Sequence, residues 1–597
     1  MTTSTFLKPF ARGRAGRGAA AGQYPYPAAV FLAHDVFEVI LLDGGAFFHT
    51  IENIGSAAGN IWLEQLAGGP LLEDWTSGRT LDWDRAFDER VGGPCGLPIE
   101  KHVWLNRLYF LLPVAQAFFR TREERWAATW LRYLKSWSAA HPYRRGADFR
   151  TGKALWHDMQ VTWRLLVLIH SLFLLGRSKS LRKSDWSFIY RQVARHAQHM
   201  HWEAARELAE NRGKGNHFLQ KGTALLYAGL LFPELPGAAQ WVQTGRSIVK
   251  QQLDAEIYAD GGSAEASPSY SHFIARLHLD AFLLLQNNAQ PPIPGLREKL
   301  RRQYEFLAAT AAPDGKTLQL SDSYAMDADK DIAVVREVLP AGVRRRPAAA
   351  RQSSSTFADS GFVVLRAGPL AVYIDAMPFG PGHIHDGKPN VLAFIEDQPL
   401  LIDSGACSYD DPWHSAWYRS GPAHNAVIIT PAGQDWAPND RIPSWRRTVV
   451  PKLTLERADA RSARIRHTFD GPGLSYVWVR QVQLTERALT VTDRIIAPAA
   501  VSARQFWHFA QLPVGIPGGD IHLPCERQAS AIVARAAGRY ITLRPVARGR
   551  AAAAAAKLFA LDFRPAVGAD NRIINSLQVA SAATGRDITL KVRFTVG

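Results

Sequence analysis

The chain has 597 residues, with 70 lysines and arginines against 54 acids for a net charge of +16, and is 47% hydrophobic and 10% aromatic. That length is several times a single-domain size, and such apolar content builds a large core and excludes global disorder. Three widely spaced cysteines, Cys95, Cys407 and Cys525, exclude a disulfide framework and a Cys-only metal site, while the positive excess calls for an anionic partner: nucleic acid, an anionic membrane or an acidic polysaccharide.

At the N-terminus Lys8, Arg12, Arg14 and Arg17 precede Ala19–Gln23, which is too short and weak for the apolar core of an export signal. Residues 1–95 are therefore expected to be a basic arm and an atypical leading segment. From about residue 100 to 340 the period is helical. Trp126, Trp130, Leu134 and Trp137 share one helix face, and further helices are predicted around Lys153–Leu175, Ser184–Ala209, Phe218–Leu231, Ala238–Ile257, Pro268–Gln286 and Leu296–Ala311. Short Gly/Pro/Asn breaks between them imply antiparallel helix pairs, stacked or closed into a ring, and no fixed-period repeat supports the stacked form. The longest apolar run, Leu165–Leu175, contains His170 and Ser171 and falls short of the ~20 residues of a membrane span.

Arg, Pro, Ala and Ser dominate Pro340–Thr356, which reads as a linker over 341–355 between a helical domain (96–340) and a strand domain (356–597). Beyond it the period is two. Leu370, Val372 and Ile374 alternate with Ala371, Tyr373 and Asp375, and Ile588, Leu590, Val592, Phe594 and Val596 alternate with polar residues. Val482/Leu484 and Leu489/Val491 flank a turn at Glu486–Arg487, and Ala551–Ala556 reads as a low-complexity insert. Such strands argue for an antiparallel β-sandwich.

Four clusters can carry chemistry. In Gly213-Lys-Gly-Asn-His-Phe218, Asn216 and His217 stand just before a predicted helix, where an amide, an imidazole and backbone N–H groups can meet an anion; a helix cap with an exposed histidine is the plainer reading. In Asp260-Gly-Gly-Ser-Ala-Glu-Ala-Ser-Pro-Ser-Tyr270, Pro268 opens a helix and sets Tyr270 at its positive end, although a tyrosine there more often packs. In Gly380-Pro-Gly-His-Ile-His385, His383 and His385 would share a strand face; with Asp403 and His424 they suggest a mixed N/O zinc site, the alternative being unrelated loop histidines. Tyr418 and Arg419, in Tyr-Arg-Ser-Gly-Pro-Ala-His424, add a phenol and a guanidinium able to grip carboxylate or sulfate, or to pair with a local acid.

Taken in order, Asn-His at a helix start, Asp-Gly-Gly…Glu-x-Ser-Pro-x-Tyr, and Gly-His-x-His…Leu-Ile-Asp-x-Gly…Tyr-Arg-Ser…Ala-His-Asn resemble the heparinase II/III-type polysaccharide lyases and their alginate-lyase relatives, as does Trp104-Leu-Asn-Arg-Leu-Tyr-Phe110. The resemblance runs from about 100 to 435. It implies an α/α toroid followed by an antiparallel β-sandwich, with the active cleft between them, and β-elimination on uronic-acid-containing polysaccharide in the periplasm or outside the cell. Carried over, Asn216 neutralises the uronate carboxylate with help from His217, Tyr270 is the catalytic phenol, and His383 is catalytic or substrate-contacting. His385, Asp403 and His424 hold a structural zinc, and Tyr418 is a second phenol in the cleft. Lys388-Pro-Asn390 departs from the small apolar residues expected after the second histidine and leaves the groove's shape, hence the substrate, open.

This chemistry has a physical logic. Removing the proton next to a carboxylate builds up negative charge that donors such as Asn216 can stabilise. A base must reach C5 and an acid the leaving oxygen, and a tyrosine serves only if a cation or helix end tunes it. A hydrolase would need two carboxylates, and Asp260 and Glu265 are available, but Asn216, His217 and Tyr270 would then be idle. A non-catalytic polysaccharide-binding protein is the other rival. Nucleic acid ranks lower because no recognition motif accompanies the charge. Among polysaccharides, heparan-sulfate-type glycosaminoglycan is preferred over alginate or another non-sulfated uronan because arginine matches sulfate.

Overall fold

A computed structural model describes residues 106–108, 111–143, 145, 155–338, 351–380, 383–406, 413–434, 449–510, 514–516, 519–520, 527–529, 532–536, 539–545, 559–567 and 573–597. The leading segment 1–95, most of the linker and the Ala551–Ala556 insert lie outside the described residues, and of the Trp104–Phe110 motif only Asn106–Leu108 lies inside. The chain divides into two compact units, one of residues 1–256, 273–300 and 408–411, the other of 257–272, 301–407 and 412–597.

The helices are α1 (Leu111–Thr121), α2 (Glu124–Ala140), α3 (Asp158–Leu175), α4 (Lys183–Ala209), α5 (Gly215–Leu231), α6 (Ala238–Glu256), α7 (Pro268–Asn287), α8 (Leu296–Thr310) and α9 (Ala328–Val338). In the first unit α2 is amphipathic as its spacing requires, burying Trp130, Leu134 and Trp137, while Trp126 is half-buried. By contrast, α3 buries every residue from Met159 to Leu175 and packs against α1, α4 and α5. It is long and apolar enough to cross a membrane, but 94% of it is buried, the property of a core helix. Helices α5 and α6 meet backbone to backbone: a Cβ on Gly245 would lie 2.6 Å from the Gly222 carbonyl oxygen, so both positions require glycine. One boundary differs from expectation. Helix α5 begins at Gly215, not Phe218, so Asn216 and His217 stand in its first turn rather than before it.

In the second unit the strands are antiparallel. Phe362–Ala367, Leu370–Asp375, Asn390–Ile395 and Gln398–Leu401 form a meander. Ala488–Phe509 pairs along its length with Ile573–Val596 and also takes Leu474–Thr485 and Val427–Pro431. The two-residue turn at Glu486–Arg487 sets the expected hairpin register, with Thr485 opposite Ala488. Alternation holds at the C-terminal strand, where Ile588, Leu590, Val592, Phe594 and Val596 are buried between exposed or half-buried neighbours. It fails at Leu370–Asp375, where all six residues are buried. There Val372 and Ile374 join a core with Val482, Val491, Trp507 and Phe594, while Ala371 and Tyr373 join another with Phe306, Leu318, Leu320 and Ile384. Packing on both faces replaces the half-exposed strand implied by periodicity.

Candidate active site

In the first unit the loop into α5 is shaped by Gly213 and Gly215. A Cβ on Gly213 would lie 2.4 Å from the Phe218 ring, which folds back over the loop, and Gly215 takes a φ of 68°, open to glycine at little cost. Asn216, 5% exposed, follows at the positive end of the helix. Gln220, one turn on, donates to Asn216 Oδ1 at 2.9 Å, which aims the amide's N–H₂ away from Gln220. His217 is half-exposed and donates through Nδ1 to Asp158 Oδ2 at 2.7 Å.

Asp158 belongs to a charge network built around the buried Lys221 and Glu203. Lys221 lies 2.9 Å from Asp158, 2.7 Å from Glu207 and 3.7 Å from Glu203. Glu203 in turn accepts His157 Nδ1 at 2.9 Å, His199 Nε2 at 3.2 Å and the Asp158 N–H at 3.0 Å. Burial alone would raise both carboxyls. The His217 and Lys221 charges instead hold Asp158 well below the usual range, and hydrogen bonds from His157 and His199, with the Lys221 charge, bring Glu203 to about 2. Burial likewise opposes the Lys221 ammonium, yet Asp158, Glu207 and Glu203 raise it above its ordinary value.

In the second unit Tyr270, 6% exposed, stands in the first turn of α7. The segment before it is tied to 318–323: Ser267 Oγ donates to the Asp322 carbonyl at 2.7 Å and the Ser269 N–H to Ser323 Oγ at 3.0 Å. Tyr270 lies face to face with His383, ring centres 3.4 Å apart and planes 14° from parallel. His383 Nδ1 donates to Asp322 Oδ2 at 3.2 Å, and its Nε2 lies 3.6 Å from Glu265. His383 and His385 occupy a loop rather than the expected strand, but both reach the same carboxylate, His385 Nε2 meeting Asp322 Oδ1 at 2.7 Å and His414 Nε2 meeting it at 2.8 Å. Burial would raise Asp322; His414 and His385 hold it well below the usual range.

Two overlapping trios, Asp322–His385–His414 and His385–Asp403–His424, each bring possible ligand atoms within 4.8 Å of one another. The strand–turn–strand from Asn390 to Leu401 carries the chain from His385 to Asp403. Asp403 accepts from His424 Nδ1 and Asn390 Nδ2, each at 2.5 Å, and from the Gly405 N–H at 2.7 Å. His385 Nδ1 and His424 Nε2 are buried with no hydrogen-bond partner among the described residues. Burial lowers His385 to about 4, so its ring is neutral near pH 7, whereas Asp403, which burial alone would raise, is kept ionised by His424. Two buried imidazole nitrogens without a partner among the described residues, beside a buried carboxylate, suit a divalent cation. The second trio fits better because each of its two histidines keeps a buried ring nitrogen with no partner among the described residues, His385 Nδ1 and His424 Nε2.

Asn216 and His217 thus belong to one unit; Tyr270, His383, His385, Asp403, Tyr418, Arg419 and His424 belong to the other. Tyr418 is 1% exposed and packs with Trp417, Ala423 and Val567, and Arg419 donates to the Ile384 carbonyl at 3.0 Å. Asp158, Asp322 and His414 are not singled out by the sequence, which marks Asn390 only as a departure from the expected residues. The first two stand in runs without a motif. A signal for His414 existed in its place ten residues before His424. The departures Lys388 and Asn390 have local partners: Lys388 is buried and paired with Asp375 at 2.9 Å, and Asn390 holds Asp403.

Residues 72–341 match the heparinase II/III N-terminus model and residues 349–583 the heparinase II/III-like, C-terminal model. The heparin-sulfate lyase of Pedobacter heparinus is 22% identical over 346 residues, 54% of this chain and 51% of that protein. The chain thus spans about half the length of the curated relatives it matches. The fold is similar to a crystal structure of heparinase III, with a TM-score of 0.64 at 16% identity over 99% of this chain and 93% of that one. It is also similar to a heparan sulfate lyase mutant from Pedobacter heparinus, with a TM-score of 0.60 at 17% identity over 87% and 79%.

Proposed function

The chain belongs to the heparinase II/III family, and from that premise we propose that it is a polysaccharide lyase, cleaving a uronic-acid-containing glycosaminoglycan of the heparan sulfate kind by β-elimination. The relatives named above support the reaction and the substrate class, and the net charge of +16 supports a polyanionic partner. In this reading residues 96–340 form an α/α toroid, 341–355 a linker and 356–597 a β-sandwich, and the enzyme works in the periplasm or outside the cell.

The observation that carries the proposal is the stack of Tyr270 on His383, itself held by Asp322. A phenol takes a proton near neutral pH only when a helix end or a cationic neighbour favours its anion, and Tyr270 has the start of α7 and an imidazole at hand. Tyr270 takes the C5 proton or protonates the leaving O4. His383 serves as its partner, or as the base on the opposite face for the other uronate epimer. Asn216, its oxygen engaged by Gln220, donates to the uronate carboxylate as charge develops there, and His217 assists. Arg419 and Tyr418 are assigned to the substrate side. His385, Asp403 and His424 hold the metal, assigned as zinc. When bound, it supplies fixed positive charge that ties together the loops bearing these three residues.

The test is an absorbance assay over a panel of acidic polysaccharides. Elimination creates an ultraviolet-absorbing unsaturated uronate end, and heparan sulfate should give the fastest rise. New reducing ends without absorbance would mark a hydrolase, and binding without either product would remove catalysis. Faster cleavage of alginate than of any glycosaminoglycan would move the substrate but keep the reaction.

A further inference from the structure

Asp158 is the first residue of α3, yet its carboxylate is not spent on its own helix. It adopts a φ of 48°, in the left-handed region that a non-glycine residue enters only when its surroundings impose it. Its N–H is held by Glu203 at 3.0 Å, one oxygen lies 2.9 Å from Lys221, and the other lies 2.7 Å from His217 Nδ1 on α5. Lys221 is already paired with Glu207, so the buried lysine does not depend on Asp158 alone. What Asp158 adds is a carboxylate oxygen directed at a half-exposed imidazole.

We infer that Asp158 is the positioning residue for His217, fixing its ring and its tautomer; this rests on the proposed role of His217 in the lyase. An ionised carboxylate can only accept, so the hydrogen between the two is carried by His217 Nδ1. Nε2 is then the nitrogen that exchanges a proton or contacts substrate. The depressed proton affinity of Asp158 agrees with this, since a carboxyl that stays ionised keeps accepting. The charged and titratable groups around the pair are His157 beside Asp158 on α3, His199, Glu203 and Glu207 on α4, and Lys221 on α5. Lys221 keeps Asp158 anionic, and Glu203 holds its backbone in the strained turn. The arrangement is that of a base oriented by a third group.

The experiment uses the full chain labelled with ¹⁵N-histidine, with His217 assigned through His217→Gln. In the wild type at pH 8, His217 should be the tautomer protonated at Nδ1. In Asp158→Asn, whose amide can donate or accept, that bias should disappear and the His217 titration should move to lower pH. With folding checked by thermal unfolding, kcat on the polysaccharide should fall about 100-fold, the lower end of what a general acid or base contributes, with KM nearly unchanged. An Nε2-protonated tautomer in the wild type would overturn the inference, as would an unchanged titration in Asp158→Asn. If that variant does not fold, the wild-type tautomer decides. If no uronate polysaccharide is cleaved, the lyase reading falls, but the spectra still judge Asp158.

Discussion

The two units each hold a cluster of histidines against carboxylates, and they balance charge differently. Around His217 the carboxylates Asp158, Glu203 and Glu207 are met by a buried lysine, and the imidazole itself is half-exposed. Around His385 the carboxylates Asp322 and Asp403 are met by imidazoles, and buried nitrogens of His385 and His424 have no partner among the described residues. A cluster with its own ammonium can stand complete and direct one imidazole outward. A cluster that sets buried, unpartnered imidazole nitrogens beside ionised carboxylates is completed by a cation from outside. The first arrangement suits proton positioning, the second a metal.

The largest expected effect is at the tyrosine that neighbours the second cluster. Tyr270→Phe keeps the ring stacked on His383 and removes only the hydroxyl. We expect kcat to fall by at least ~10³-fold while substrate binding and the thermal midpoint stay close to wild type. Near-normal turnover would take Tyr270 out of the mechanism. In the first cluster Asn216→Ala should lower kcat by roughly 10²–10³-fold, as for loss of one donor to developing charge. A rise in KM alone would make it a ground-state contact instead.

Metal dependence should separate the clusters. Asn390→Ala removes one of the three hydrogen bonds that orient the Asp403 carboxylate and should weaken metal affinity by roughly 10–100-fold, read by metal analysis after dialysis. A chelator should lower the thermal midpoint before it lowers turnover of the protein that remains folded. Purified protein free of any bound transition metal would leave the second cluster as hydrogen bonding alone.

Acid should act on both units, with the smallest effect. Burial lowers His170 in the first unit to about 3 and His508 in the second to about 4, from an ordinary 6.5. Because the folded values are depressed, their contribution is complete above pH ~6.5 and is lost as pH falls through that value toward the folded ones. Glu203, lowered from 4.5 to about 2, loses its contribution only below its ordinary value. The thermal midpoint should therefore decline from about pH 6.5 downward, before most carboxylates titrate. A flat midpoint from pH 7 to 4.5 would show these histidines are not held neutral by burial.

Much of this was legible in the residues. The tryptophan spacing of α2, the Pro268 start of α7 and the hairpin at Glu486–Arg487 follow from local rules, because helix and strand periods, proline and tight turns act within a few residues. The ordered motifs around Asn216, Tyr270, His383 and His424 were enough to indicate the family, since they are short strings read along the chain. The start of α5 was misplaced because a glycine with positive φ opens that helix, and glycine ordinarily signals a break.

Partnership across long separations was decided by the tertiary structure. Asp322 meets His383, His385 and His414 from 61, 63 and 92 residues away, and Asp158 meets His217 across 59. Nothing in the neighbours of either aspartate distinguishes it from a surface acid. The strand Leu370–Asp375 makes the same point for packing: its alternation of residue types is local, but burial of both faces depends on segments elsewhere in the chain. Sequence determined the elements and the kinds of chemistry available, because those depend on side-chain type and short-range period. Folding selected which carboxylate faces which imidazole, because hydrogen bonds and ion pairs act over a few ångströms of space, regardless of distance along the chain.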